Sequence, residues 1–500
     1  MNSPTQKFLV RSGALALLAS ALAVGLSAYA VDPSGKGSKS PQNMLSPSRS
    51  NVADPIHVDG AAEDPFASAR KEPAAGRTYP VPPLEKVDLR MGQAGTVLLS
   101  ELPRLNTLFD GKVASLNTHN DFVFYTIRPD LQDFVTKMVA SANSPHVAFV
   151  AIEPSTGKIL AMSGKSSSIL HPELYAGFPA ASLFKLVTST AAVEQAGLSG
   201  NSIIGFRGGT YTLNQWNYAP GTGRDTRSMS LSEALGKSCN PVFSRVALKF
   251  LSQDVIRSYA QAFGFNTNLR FDMPLPPSSA QIPSEDFELG RTAAGFGAVK
   301  FSPLHAAAMM AGIANNGLML RPVLIDSVVA QNGVVLYQQR PEEVTRLMTA
   351  STSRELLSMM EKTTTVGTSR RAFMVKNSPI LSNIQVAAKT GTLRGENPEG
   401  INNWFVAAAP LEDPTIAIAV LVVHPLGNHL KASQLGRQFM QKYFNRPVSA
   451  LQPAPVTYTR KSSSYKYKAK GSTKYKSYSS KKSKSPVIYS SSNKKTKKSK

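Results

Sequence analysis

Three short groups of residues in this chain carry side chains that, brought together, would perform acyl transfer. Ser182 and Lys185 lie three positions apart, Ser238 and Asn240 follow 56 residues after the first serine, and Lys389-Thr390-Gly391-Thr392 begins 151 residues later. A serine hydroxyl is a weak nucleophile until a base takes its proton. Residues at i and i+3 share a helix face, so Lys185 reaches the Ser182 hydroxyl. A buried lysine beside another cation has a lowered pKa and supplies a neutral amine; Lys389 is the expected neighbouring cation. Ser182 at a helix start also aims the positive end of the dipole at developing negative charge. The backbone N–H groups of Ser182 and Thr392 would then form an oxyanion hole. Ser238 is suited to pass a proton to a leaving amine, and Asn240 to hold both a substrate amide and Lys185. Gly391 leaves room where a peptide would lie against a strand edge.

Other chemistries fit poorly. Gly164-Lys165-Ser166 and Gly236-Lys237-Ser238 lack the glycine five positions earlier that a phosphate-cradling loop needs. There is no Gly-x-Ser-x-Gly elbow. The seven histidines are scattered, and His424 and His429 read as surface or core residues rather than metal ligands. No metal and no cofactor is expected. Cys239, the single cysteine, cannot form an intramolecular disulfide, and as the middle residue of Ser-x-Asn it need not face a substrate. Ser463/Lys466 and Ser479/Lys482 repeat the Ser-x-x-Lys spacing in a tail and are decoys.

The elements that must position these groups follow from periodicity. Val147–Ile152 and Ile159–Met162 are apolar runs separated by Pro154-Ser155-Thr156-Gly157, the pattern of a hairpin. A helix-rich middle includes Leu183–Gln195 closed by Gly197, and Pro303–Asn315 closed by Gly317. Strand character returns in Gln385–Thr392, Trp404–Ala409 and Thr415–Val423, and Ser433–Phe444 has the pattern of a last amphipathic helix. Strands at both ends of a helical middle imply an α+β domain whose one antiparallel sheet is built from both ends.

The flanks differ in kind. Lys7 and Arg11 precede an uncharged run from Ser12 to Val31 that ends in Ala28-Tyr29-Ala30, the layout of an export signal. At 1.5 Å per residue those 20 residues span about 30 Å, so residues 1–30 serve as a signal peptide or a retained membrane anchor. Residues 31–80, rich in Pro, Ser, Gly and Ala, form a flexible linker, and 81–120 a short pedestal or linker. Residues 121–448 form the globular domain and 449–500 a disordered basic tail of Lys, Ser and Tyr. The last 50 residues hold 14 Lys, one Arg and no acid, and so supply +15 of the net charge of +24. Basicity is therefore a property of the tail, and in an exported protein nucleic acid is not the expected partner.

With these residues in place, the stretch from about 122 to 445 resembles the transpeptidase domain of penicillin-binding proteins. The three groups above match its motifs. Further likeness lies in Thr126-Ile127-Arg128-Pro129-Asp130-Leu131-Gln132, Ala151–Met162, Tyr259–Phe265, Ser302-Pro303-Leu304, Ile313-Ala314-Asn315-Asn316-Gly317 and Trp404-Phe405-Val406. The resemblance implies a β-lactamase/transpeptidase-like fold and a serine D,D-transpeptidase of peptidoglycan synthesis. In it, Ser182 forms an acyl-enzyme on the D-Ala-D-Ala end of a stem peptide, and the amine of a neighbouring stem accepts the acyl group. It also implies covalent penicillin binding, with Thr390 and Thr392 on the substrate or antibiotic carboxylate, and a place in the periplasm or on the outer face of the cytoplasmic membrane. Residues 31–120 are too few for the glycosyltransferase domain of bifunctional members, so glycan polymerisation is not expected.

Alternatives share parts of this pattern. A D,D-carboxypeptidase differs only in letting water accept the acyl group. A β-lactamase needs a base for deacylation, and the one Glu-x-x-x-Asn, Glu399 to Asn403, follows Lys-Thr-Gly where class A enzymes do not keep theirs. A non-enzymatic scaffold or β-lactam sensor would need no activated serine. For the tail, the expected partners are anionic envelope polymers or lipid head groups.

Overall fold

The apolar runs at the two ends of the domain form its central sheet. The computed structural model describes residues 66–67, 83–92, 95–221, 223, 225–425 and 430–448. The expected anchor, nearly all of the linker, the basic tail with its two decoys, and His429 lie outside the described residues. Strands β1 (His146–Ile152) and β2 (Ile159–Ser166) are the expected hairpin. Near the C-terminus come β3 (Ala387–Glu396), β4 (Glu399–Ala409) and β5 (Ile416–His424). The five strands are antiparallel in the order β3-β4-β5-β1-β2, so residues more than 250 positions apart pair, as Ala419 does with Val150. The α+β class and the sheet built from both ends hold.

Both faces of the sheet are covered, which is why its strands read as continuous apolar runs rather than alternating ones. On one face, Ala148, Val150 and Ile152 of β1 join Trp404, Val406 and Ala408 of β4 in the main core. The intervening Val147, Phe149 and Ala151 join Phe405, Ala407 and Ala409 in a second core on the other face. The main core is filled by α4 (Pro303–Ala314), all of whose residues are buried, and which starts at the Ser302 cap. The second is closed by α1 (Pro129–Ser141) and α6 (Ala432–Tyr443). Between the sheet halves in sequence lie α2 (Lys185–Ala196), α3 (Asn240–Phe250) and α5 (Ala350–Thr365). Helix α2 ends at Gly197, whose φ of 61° is the left-handed cap the glycine allows.

Two expectations are refined. The serine-bearing helix does not begin at Ser182: residues Ala181–Phe184 form a 3-10 turn, and the α-helix starts at Lys185. Ala181 takes φ +52°, so the turn enters tightly before the helix can propagate. The stretch 81–120 is not separate from the globular domain. Strand 112–117 pairs with 122–125, which pairs with 325–329, so position 120 lies in a hairpin turn of a second sheet. The Asp272 carboxylate, fully buried, bonds Arg321 and the backbone N–H of Ile325 (2.8 Å), and the Asp272 backbone carbonyl accepts from Leu99 N–H (2.6 Å). Among the described residues no helix is long and apolar enough to cross a membrane.

Phe149 is fully buried with its ring 4.8 Å from that of Phe439, so it joins β1 to α6. Phe149→Ala is expected to destabilise the domain by about 3–5 kcal/mol through lost burial and a residual cavity. Equilibrium unfolding in denaturant measures this, and a loss below about 1 kcal/mol would contradict the packing described.

Candidate active site

The edge strand β3, the 3-10 turn and the start of α3 converge on one point. Lys185, the first residue of α2, is fully buried, and its Nζ donates to Ser182 Oγ (2.9 Å), Asn240 Oδ1 (2.7 Å) and the Ala294 carbonyl. Its three donors thus have three acceptors from three separate segments. On β3, Lys389 is also fully buried and donates to Ser238 Oγ (2.9 Å) and the Thr390 carbonyl (2.7 Å). Direct hydrogen bonds thus join Ser182, Lys185 and Asn240 in one group and Ser238 and Lys389 in a second, and the two groups are close enough for the Lys185 charge to act on Lys389. The 3-10 turn leaves the Ser182 N–H without an acceptor inside the turn, because the first N–H groups of any helix have none.

Loss of water pushes the Lys185 amine down to about 7. Burial and, second, the Lys185 charge hold Lys389 well below the usual lysine range. For both amines the first cause is dryness, and the repulsion between the two, which acts on each, adds to it. Two ammonium groups in one water-free site repel, which favours the neutral amine on each. A neutral Lys185 amine hydrogen-bonded to Ser182 Oγ can accept its proton.

The third group occupies the strand edge. Gly391 pairs with Trp404 and Thr392 with Asn403. A Cβ on Gly391 would lie 3.1 Å from Ala181 Cβ and 3.3 Å from the Ala180 carbonyl, so glycine lets β3 approach the serine turn. Thr390 Oγ1 is hydrogen-bonded to Thr368 Oγ1, and Thr392 Oγ1 accepts from Asn403 Nδ2 at 3.0 Å. Trp404 Nε1 donates to the Pro179 carbonyl (2.8 Å), tying β4 to the residues before the turn.

Several participants carried no sequence signal. The Ala294, Thr210 and Tyr211 carbonyls are backbone groups, which no residue type announces. Asn240 N–H donates to Thr210 O (2.8 Å), and Asn240 Nδ2 to Tyr211 O (2.7 Å). Thr368 lies in an ordinary Gly-Thr-Ser stretch. Cys239 is buried in the main core, where burial raises its thiol pKa. His424 is buried at the end of β5 against the Pro425 carbonyl (3.0 Å). Glu399 is exposed at the far end of β4 and pairs with Arg394, while Asn403 supports Thr392.

Comparison with known proteins bears on the family and the fold. Residues 147–441 match the model of the penicillin binding protein transpeptidase domain. The chain is 29% identical over 364 residues to the peptidoglycan D,D-transpeptidase PbpA of Mycolicibacterium smegmatis, covering 63% of this chain and 70% of that protein. It is 32% identical over 320 residues to PbpA of Mycobacterium tuberculosis, covering 55% of this chain and 61% of that protein. Among solved structures, the imipenem acyl-enzyme complex of M. tuberculosis penicillin-binding protein A superposes with a TM-score of 0.52 at 26% identity, over 66% of this chain and 80% of that one. A D,D-transpeptidase domain from Eggerthella lenta gives 0.55 at 20% identity over 71% and 94%, a likeness of fold.

Gly295 holds φ +94°, and a Cβ there would stand 2.3 Å from the Ala181 carbonyl. Gly295→Ala is expected to cost more than about 1 kcal/mol, since the backbone conformation and the contact both oppose a side chain. Unfolding in denaturant would show it, and wild-type stability would mean the serine turn does not rest on this approach.

Proposed function

The chain belongs to the penicillin-binding protein transpeptidase family, and from that membership we propose that it is a serine D,D-transpeptidase that cross-links peptidoglycan stem peptides and is acylated by β-lactams. The observation that carries this is the dry Lys185 amine, with a pKa of about 7, hydrogen-bonded to Ser182 Oγ.

In the proposed mechanism Lys185 takes the Ser182 proton as Oγ attacks the penultimate D-Ala carbonyl. The backbone N–H groups of Ser182 and Thr392 receive the oxyanion. The C–N bond breaks, and Ser238, bonded to Lys389, relays a proton to the departing D-Ala amine. An amine of a second stem then attacks the ester and regenerates the serine. Asn240 orients Lys185 and the substrate amide, Gly391 admits the peptide, and Thr390 and Thr392 bind its carboxylate near Lys389. Slow hydrolysis of a bound β-lactam is expected, because among the described residues the hydrogen-bond partners of Lys185, Lys389 and Ser238 are hydroxyls, an amide and carbonyls, with no carboxylate.

Labelled penicillin tests this. Covalent, slowly lost label is expected on wild type, with the adduct on Ser182 by mass spectrometry and no label on Ser182→Ala. Lys185→Ala should be nearly as damaging, because base and nucleophile act as a unit. Rapid loss of label would make the protein a β-lactamase, and no label on the wild type would favour a scaffold. The neutral amine is the active base, so acylation should rise with pH to about 7 and level off above it. Below that point it should fall roughly tenfold per unit as Lys185 protonates. A flat profile between pH 5 and 8 would remove Lys185 as the base.

Residues 1–30 place the protein, on this proposal, at the outer face of the cytoplasmic membrane or in the periplasm. The +15 tail would hold it to anionic envelope polymers or lipid head groups. A polycation binds polyanions largely by releasing counterions, so the attraction falls steeply with salt. Removing residues 451–500 should leave penicillin acylation unchanged and weaken cosedimentation with isolated envelope at low salt. Near 1 M salt, where the Debye length is about 3 Å, the difference should vanish. Equal cosedimentation at low salt would leave the tail without this role.

A further inference from the structure

Asn240 can serve Lys185 only with its amide turned one way. Its Oδ1 accepts from Lys185 Nζ at 2.7 Å while its Nδ2 donates to the Tyr211 carbonyl at 2.7 Å. The flipped amide would set donor against ammonium and oxygen against carbonyl. What fixes the orientation is therefore the position of a backbone carbonyl in the loop 207–218, outside the three sequence motifs. The same loop receives the Asn240 backbone N–H on Thr210 O at 2.8 Å.

That loop is organised around one side chain. Asn217 is fully buried, although asparagine is rarely so. Its Nδ2 donates to Thr212 O (3.0 Å) and Arg207 O (3.4 Å), and its Oδ1 accepts from Asn214 N–H (2.9 Å). Those bonds close the loop on both sides of Thr210 and Tyr211. Gly208, at φ +82°, makes room: a Cβ there would come within 3.0 Å of Asn217 Nδ2. Asn214 extends the arrangement through its Oδ1, which accepts from Trp216 N–H at 3.0 Å.

We propose that Asn217 is a positioning residue of the acylation centre, holding the Thr210 and Tyr211 carbonyls where they set the Asn240 amide toward Lys185. The inference rests on the acyl-transfer function proposed above. Asn217 touches no reacting atom; it acts through the loop on Asn240, and through Asn240 on the base. Misplacing a reacting group by about 1 Å costs on the order of a hundredfold in rate, so a remote side chain can matter this much.

Acylation of the full chain by fluorescent penicillin, measured from pH 5 to 9, tests this. The set comprises wild type, Asn217→Ala, Asn217→Asp, Asn240→Ala and the Asn217→Ala/Asn240→Ala double variant, each with a thermal melt. Asn217→Ala should acylate about 10- to 100-fold more slowly. The midpoint of its pH profile should move to lower pH, because an acceptor that favours the charged form of Lys185 is lost. Lys389 and Cys239, the other titratable groups facing Lys185, are unchanged in every variant. The double variant should be no slower than Asn240→Ala alone, since both substitutions break one chain of contacts. Asn217→Asp keeps the volume and the accepting oxygen but loses both donated bonds, so it carries the test if the alanine variant does not fold. A wild-type rate in a folded variant, a slower rate with an unmoved midpoint, or additive losses in the double variant would each overturn the proposal. A wild type that takes no label would instead overturn the acyl-transfer function itself.

Discussion

Everything around the site answers to the burial of one amine. An unpaired ammonium in a water-free interior is costly enough to shift its own pKa or unfold its surroundings. Lys185 avoids the second outcome by reaching a hydroxyl, an amide oxygen and a carbonyl, on Ser182, Asn240 and Ala294. These acceptors are enough to keep the charged form accessible but are uncharged, so the amine stays near the balance point at about 7. A carboxylate partner would have pulled the pKa back up and spoiled the base. The chemistry thus follows from which acceptors are present, as much as from the lysine itself.

Because those acceptors come from segments far apart in sequence, the fold must deliver them together. The 3-10 turn supplies Ser182, the start of α3 supplies Asn240, and the stretch after residue 293 supplies its carbonyl. The sheet contributes Lys389 from its edge strand, which Gly391 lets lie close to the serine turn, while Gly295 lets the segment after residue 293 approach the same turn. Covering both sheet faces holds that edge still: β4 packs Trp404 into the main core and Phe405 into the second, and Trp404 also bonds the Pro179 carbonyl just before the turn.

Much of this was legible in the sequence, for physical reasons that differ by element. The sheet strands were visible because burial on both faces leaves runs such as Ile416–His424 almost wholly apolar. Their pairing from both ends followed from the helical middle between them. The side chains of the three motifs were visible because few residue types can do their chemistry. The 3-10 turn was not visible, since it goes with a positive φ at Ala181, and alanine gives no hint of one. The weight of dryness over the Lys389 charge was hidden too, because burial is a property of the assembled core. The carbonyls of Ala294, Thr210 and Tyr211 belong to the backbone, and their positions depend on loops that no local pattern specifies. The hairpin that carries residues 112–117 into a sheet with 325–329 was likewise missed, because its partners are about 200 residues apart.

The two non-glycine residues with positive φ that flank the reactive hydroxyls sharpen the point. Ala181 at +52° immediately precedes the nucleophile, and Ser238 at +56° is itself the serine bonded to Lys389. Such conformations cost side-chain-bearing residues on the order of 1 kcal/mol each and persist only where surrounding structure imposes them. Ser238 is the left-handed cap of the helix Leu231–Gly236, where its N–H bonds the Leu235 carbonyl (3.1 Å) and the Cys239 N–H bonds the Ala234 carbonyl (2.8 Å), and the Ala181 carbonyl packs close against Gly295. Ala181 is thus held against another segment of the fold, and Ser238 by the end of its own helix. Loosening the packing between sheet and helices would part Ser238 from Lys389 and free Ala181 from Gly295 in the same step. Stability and reactivity in this domain are therefore coupled through the same few contacts, and the strain is a reason the site exists only in the folded state.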